Sequence, residues 1–176
     1  MQRSILFSAL IAIFICGSAV SSQTVQRWQN ISSSAGRFEA LYPAAPTTSS
    51  YSKDTSAGKV SNTAVVADLN DSAFLVMYAD WPFAIEDVQA SLTVSQKGVL
   101  RDMNATLISS HPTNVTGYQA LLYKVSLPQA NGEKFIGTVL VLFVGRRQYQ
   151  VIVVQPEAKA STAEASKFIS SFKLIA

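Results

Sequence analysis

His111 is the only histidine in the chain, and an imidazole is the side chain best able to move a proton near neutral pH. Ser109 and Ser110 precede it, so a Ser-His-Asp arrangement would need one of those hydroxyls, His111 and a distant aspartate brought together by the fold. Pro112 follows directly, and His111-Pro112-Thr113-Asn114 with Gly117 reads first as a turn. Asp68, Asn70 and Asp71 offer oxygens to a calcium ion but lack the spaced ligands of a calcium-binding loop, so a solvated turn is expected there. The sequence has no Gly-x-Ser-x-Gly elbow, no phosphate-binding glycine loop, no His-Glu-x-x-His and no paired cysteines. The expectation is therefore no catalytic residue, no metal and no cofactor. A small hydrolase or isomerase working around His111 is the alternative.

Binding chemistry has more to build on. Trp81 follows a strand-like run at a corner bounded by Pro82, and Arg146 and Arg147 tip a hairpin-like break. Connecting segments on a rigid scaffold are where sites usually lie, and Trp and Arg are enriched among interface hot spots. Trp81, Arg146 and Arg147 are thus the candidate binding residues. The competing reading is that Trp81 closes the core and the arginines form a solvated turn.

The elements that would hold these residues centre on Phe135 to Val154. Two β-branched and aromatic runs there flank Gly145-Arg146-Arg147, a hairpin signal. The first run has no polar residue from Val139 to Val144, as expected of a central strand buried on both faces. Val60 to Leu69 and Ala73 to Asp80 are strand-like around the turn pair Asn70-Asp71. Thr106 to Ser110 and Gln119 to Leu127 return to the strand period, and Gly36 to Pro43 alternates with Phe38, Ala40 and Tyr42 on one face. The Ser/Thr-rich stretch Ala44 to Ser61 should hold at most an edge strand near Ser50 to Asp54. Between strands, Ile85, Val88, Leu92, Val99 and Met103 share a helical stripe, with Gln96 its polar exception, predicting a helix near Ile85 to Asn104. Ser161-Thr162-Ala163-Glu164 fits a capping box for a last helix with Ala165, Phe168, Ile169 and Phe172 on its apolar face.

At 176 residues and 48% apolar the chain suits one domain with a sizeable core. Its formal charge of +3 falls to about +2 once Arg3 is subtracted. The basic residues are scattered apart from Arg146-Arg147, which argues against nucleic acid as a partner. Met1 to Ser22 has the parts of a secretory signal: Arg3, an apolar run from Ile5 to Cys16, and small residues from Gly17 to Ser22. The apolar run is shorter than the roughly 20 residues needed to span a bilayer, so no transmembrane anchor is expected in the mature form. A lipoprotein reading through Cys16 is the weaker alternative, because bulky Ile15 precedes it. Cys16 is the only cysteine, so the mature protein would have neither a disulfide nor a thiol site. The expected organisation is signal peptide 1–22, an N-terminal leader 23–35 that pins Trp28 onto the body, and a single domain 36–176, secreted or periplasmic. Asn30, Asn70, Asn104 and Asn114 begin Asn-x-Ser/Thr sequons, read as accidental in a Ser/Thr-rich chain that lacks disulfides.

Six to seven strands linked mostly by turns, with one helix inserted and one at the end, predict an α+β fold with an antiparallel sheet covered by helices. The succession of Trp28, Gly36-Arg37-Phe38-Glu39-Ala40-Leu41-Tyr42-Pro43, Met77-Tyr78-Ala79-Asp80-Trp81-Pro82, Arg147 to Val154 and Phe168-Ile169-Ser170-Ser171-Phe172 resembles exported members of the Mog1/PsbP-like superfamily over most of the mature chain. The resemblance implies an α/β/α sandwich and binding or assembly roles in place of catalysis. It carries no functional residue over, because the family's named functions, a photosystem subunit and a partner of a small GTPase, depend on residues with no match here. Sequence therefore points to a non-enzymatic exported binding or accessory module, with a protein or cell-envelope component as its partner.

Overall fold

A computed structural model describes residues 27–55, 58–128, 132–160 and 163–175. The expected signal segment with Cys16, and Ser161, the expected cap of the last helix, lie outside the described residues. The main body is a seven-stranded antiparallel sheet of β3 (Thr47–Thr55), β4 (Gly58–Leu69), β5 (Ser72–Asp80), β6 (Thr106–Val115), β7 (Tyr118–Pro128), β8 (Lys134–Val144) and β9 (Arg147–Pro156). Its spatial order is β3-β4-β5-β9-β8-β7-β6, so β9 is the middle strand and the β8–β9 hairpin is central. Val139 to Phe143 and Gln148 to Gln155 are buried throughout, because both faces of the sheet are covered and neither parity of side chain meets water.

One face is covered by α1 (Val88–Asp102), whose Leu92 and Val99 pack with Leu75, Met77, Val139, Val141 and Ile152. Asp87 caps this helix by accepting the Ala90 N–H at 2.9 Å, which starts it three residues later than the apolar stripe alone suggests. The other face is covered by α2 (Ala163–Ser171) and by a second, three-stranded sheet of β1 (Gln29–Ser33), β2 (Phe38–Tyr42) and β10 (Lys173–Leu174) in the order β1-β2-β10. Phe38, Ala40 and Tyr42 of β2 meet Phe74, Val76, Tyr149, Val151 and Phe168 there. The fold is thus α+β with an antiparallel sheet between two covering layers, as expected, but β2 belongs to the second sheet. Alternation told which side of Gly36 to Pro43 is apolar, though not which sheet it joins. Trp28 packs edge-on to Phe74 with centroids 5.9 Å apart, beneath the Lys167 ammonium.

Two segments differ from the sequence expectation. His111, Pro112, Thr113 and Asn114 are strand residues of β6, and the turn falls at Thr116 and Gly117, both at positive φ. Proline is tolerated there because β6 is the sheet's edge, where no neighbouring strand needs its missing N–H. At the opposite edge β3 runs over nine residues, longer than the segment Ser50 to Asp54, since its backbone pairs with β4 from Thr47 opposite Val66 to Thr55 opposite Gly58, and Ser50–Thr63 and Ser52–Ser61 hydroxyl pairs lie within that ladder.

Candidate functional site

The three sequence-derived binding residues meet at one corner of the main sheet, where β5 ends and the β8–β9 turn begins. Gly145 takes the left-handed conformation at φ 59° that a tight hairpin turn requires. Asp80 lies opposite Arg147 in the β5–β9 register, which brings together charges 67 positions apart in sequence. The Arg147 guanidinium binds that carboxylate with two of its three nitrogens, Nε to Oδ1 at 2.7 Å and Nη2 to Oδ2 at 2.6 Å. Its third nitrogen, Nη1, donates to the Ala35 carbonyl at 2.7 Å, and its carbon stands 4.9 Å from the centre of the Tyr78 ring. Hydrogen bonding to Arg147 holds the Asp80 pKa below the ordinary aspartate value, and the same contact pushes that of Arg147 up.

Trp81 sits on the other side of this corner, 5% exposed and packed in the α1-side core. Its backbone N–H donates to the Arg146 carbonyl at 2.9 Å, and its indole Nε1 donates to Gln148 Oε1 at 3.2 Å. Gln148 Nε2 in turn donates to Ser95 Oγ of α1 at 2.6 Å. Side chains alternate along a strand, so the start of β9 is gripped from both faces. Arg147 and Tyr149 hold the second sheet, while Gln148 holds Trp81 and the helix. Arg146, between the two grips, is exposed.

The structure adds a residue that the sequence reading did not select. Gly36 and Arg37 form a tight turn before β2, in which Ser33 Oγ accepts the Gly36 N–H at 3.0 Å. The Tyr149 hydroxyl donates to the Gly36 carbonyl at 2.8 Å, fixing this turn against the base of the β8–β9 hairpin. Arg37 is exposed, and its charge acts on the Asp80 carboxylate together with those of Arg146 and Arg147. The local signal was the glycine before a strand. Its contact with residues more than a hundred positions away had no sequence signature.

His111 does not join this corner. It is exposed on β6, opposite Leu122 of β7, while Ser110 points to the α1 face and its Oγ accepts a bond from Gln96 Nε2 at 2.9 Å. Adjacent strand residues face opposite sides, so Ser110 and His111 are turned away from each other. Asp71 is engaged by Lys159 at 2.7 Å and by the Ser72 hydroxyl at 3.0 Å, which ties the β4–β5 turn to the 3-10 turn Glu157–Lys159. Asn30, Asn70, Asn104 and Asn114 are all exposed. Among the described residues no group of three or more His, Cys, Asp or Glu side chains gathers, and no helix is long and apolar enough to cross a membrane.

No family model matches the chain, and no curated protein matches it. Among solved structures it is similar to the solution structure of the cyanobacterial PsbP (CyanoP) from Synechocystis sp. PCC 6803, at 14% identity and a TM-score of 0.56, over 89% of this chain and 98% of that one. It also matches a crystal structure from Bacteroides thetaiotaomicron at 11% identity and a TM-score of 0.46, over 84% of this chain and 48% of that one. A third match is PA94 from Pseudomonas aeruginosa, described as a protein of unknown function, at 10% identity and a TM-score of 0.42, over 79% of this chain and 90% of that one. The first of these establishes the class: the chain has a PsbP-like α+β fold.

Proposed function

We propose that the protein is an exported, non-enzymatic binding or accessory module that engages a protein or cell-envelope component through the corner of Trp81, Arg146 and Arg147. In this reading Met1–Ser22 is removed as a signal peptide without lipid on Cys16, leaving a short leader and one domain. The observation that carries the binding role is Arg146, an exposed guanidinium on the central hairpin, whose base is clamped from both faces of the sheet. A side chain displayed on so fixed a base loses little further backbone freedom on binding. Arg147 supports the site by neutralising Asp80, and Trp81 by holding the Arg146 carbonyl, so both are positioning residues for the contact that Arg146 makes.

The test is a photo-reactive side chain at position 146 of the full chain, expressed in its native cells and cross-linked in place. The expected result is a discrete adduct that is absent when the same group stands at exposed Ser166 on α2. Arg146→Ala should weaken capture of that adduct's partner by about tenfold, the size expected for a modest hot spot, and leave the thermal midpoint unchanged. Full capture by Arg146→Ala would remove the corner as the binding site.

A further inference from the structure

The free charge at the corner is of one sign. Both oxygens of Asp80 are taken by Arg147, whereas Arg37 and Arg146 are exposed and form no ion pair among the described residues. Their two turns are locked together by the Arg147 bond to the Ala35 carbonyl and the Tyr149 bond to the Gly36 carbonyl. Arg37 is also pinned along its own backbone, its N–H donating to the Ser34 carbonyl at 3.3 Å and its carbonyl accepting from Ile175 at 3.0 Å. It adopts φ 53°, a left-handed conformation that glycine or asparagine fills more readily than a long side chain. Backbone strain of this kind is retained where the surroundings over-determine it, and it concentrates at binding sites.

We propose that Arg37 and Arg146, braced by Arg147, form a docking site for an acidic segment of a partner protein. This deepens the binding-module reading above and rests on it. A guanidinium matches a carboxylate in a two-pronged geometry, the geometry that Arg147 already makes with Asp80. Arg37 and Arg146 stand on separate turns, one before β2 and one between β8 and β9. Carboxylates spaced along a chain fit that layout, whereas a compact single anion is better held by a nest of amides. Because both arginines are exposed, their pull is screened by salt and acts mainly on the rate of encounter.

The test uses the mature full chain and a labelled peptide alternating glutamate with serine, read by fluorescence anisotropy at low and physiological salt. The acidic peptide should bind, weaken as salt rises, and lose about tenfold in affinity with Arg37→Asn and again with Arg146→Ala. Asparagine keeps the left-handed backbone accessible, so an unchanged thermal midpoint in Arg37→Asn isolates the loss of charge. A lysine-serine peptide should not bind. The proposal is overturned if the doubly substituted protein binds the acidic peptide as well as wild type does. It is also overturned if inorganic phosphate at matched ionic strength displaces the peptide fully, or if phosphatidylglycerol vesicles bind more tightly than the peptide, since the site would then serve a small anion or a lipid surface. If the cross-linked adduct from position 146 persists and depends on Arg146 while the peptide fails, the acidic class alone falls. If that adduct is missing, the underlying reading falls with it.

Discussion

The two faces of the main sheet are built from different materials. The face under α2 and the second sheet is aromatic: Phe168 meets Tyr42 and Phe74 edge-on at centroid separations of 5.0 and 5.5 Å, and Phe172 lies between Phe38 and Tyr149. The face under α1 buries amides and a hydroxyl, with Ser95 accepting from both Gln148 and Gln150, and Gln96 reaching Ser110. Aromatic contacts depend on area and shape and tolerate small shifts. Buried amides stabilise only while their partners stay within bonding distance, so they fix where α1 sits more sharply than apolar contacts would. Both faces converge on the start of β9. The corner that carries Arg146 therefore inherits area from one side and hydrogen-bond registry from the other.

The comparison is sharpened most by removing its largest ring. Phe168 is fully buried, and Phe168→Ala should cost about 3–5 kcal/mol by leaving a cavity between Tyr42 and Phe74. Urea denaturation measures it, and a loss below that of a surface substitution would mean that α2 does not anchor this face. On the α1 side, Gln148→Ala strips the acceptor from the Trp81 indole and the donor from Ser95, for an expected loss of about 1–3 kcal/mol. A double-mutant cycle with Ser95→Ala should show coupling between the two residues, and strict additivity would mean that the amide layer is not a network.

A smaller effect is expected from Gly137→Ala, where the added methyl carbon would meet Val125 Cγ2 at 2.8 Å across β7 and β8. Overpacking of this kind should cost about 1 kcal/mol, the low end for such insertions, because a side-chain methyl can move where backbone cannot. An increase in thermal midpoint would show that the α1 face is looser than its contacts suggest.

The smallest effect concerns pH. The Asp80 pKa is lowered in the folded state, chiefly by its bonds to Arg147, so the pair stabilises the fold above the unfolded aspartate value and loses that contribution as pH falls through the folded one. Asp80 is 54% exposed, which limits the contribution to a few tenths of a kcal/mol. The midpoint difference between wild type and Asp80→Asn should be greatest near neutral pH and vanish in acid. A difference that grows toward low pH would reverse the sign of the assignment.

Local pattern carried much of this fold. The alternation in Phe38-Ala40-Tyr42, the unbroken apolar run Val139 to Val144 and the stripe Leu92-Val99-Met103 each reflect which side of an element is buried, and that information lies within a few residues of chain. The central place of β8 and β9 was legible for the same reason, whereas the PsbP-like class rested on a resemblance. His111 was misplaced because Pro112 ordinarily breaks a strand, and only the sheet order reveals that β6 is an edge. The candidate site was half legible: Arg146 and Arg147 stood out at a turn, but Asp80, Ala35 and Gly36 did not.

By itself, then, the sequence determined most of the strands, both helices and the apolar side of each, but neither β1 nor β10. The tertiary structure alone decided that β2 would join a second sheet, that β5 would lie against β9, and that Trp81 would be a buried brace. It also decided that Arg37 would share a corner with Arg146 and Arg147. These outcomes depend on pairing between strands distant in the chain, where backbone hydrogen bonds are the same for any sequence and the choice of partner rests on how whole faces fit together.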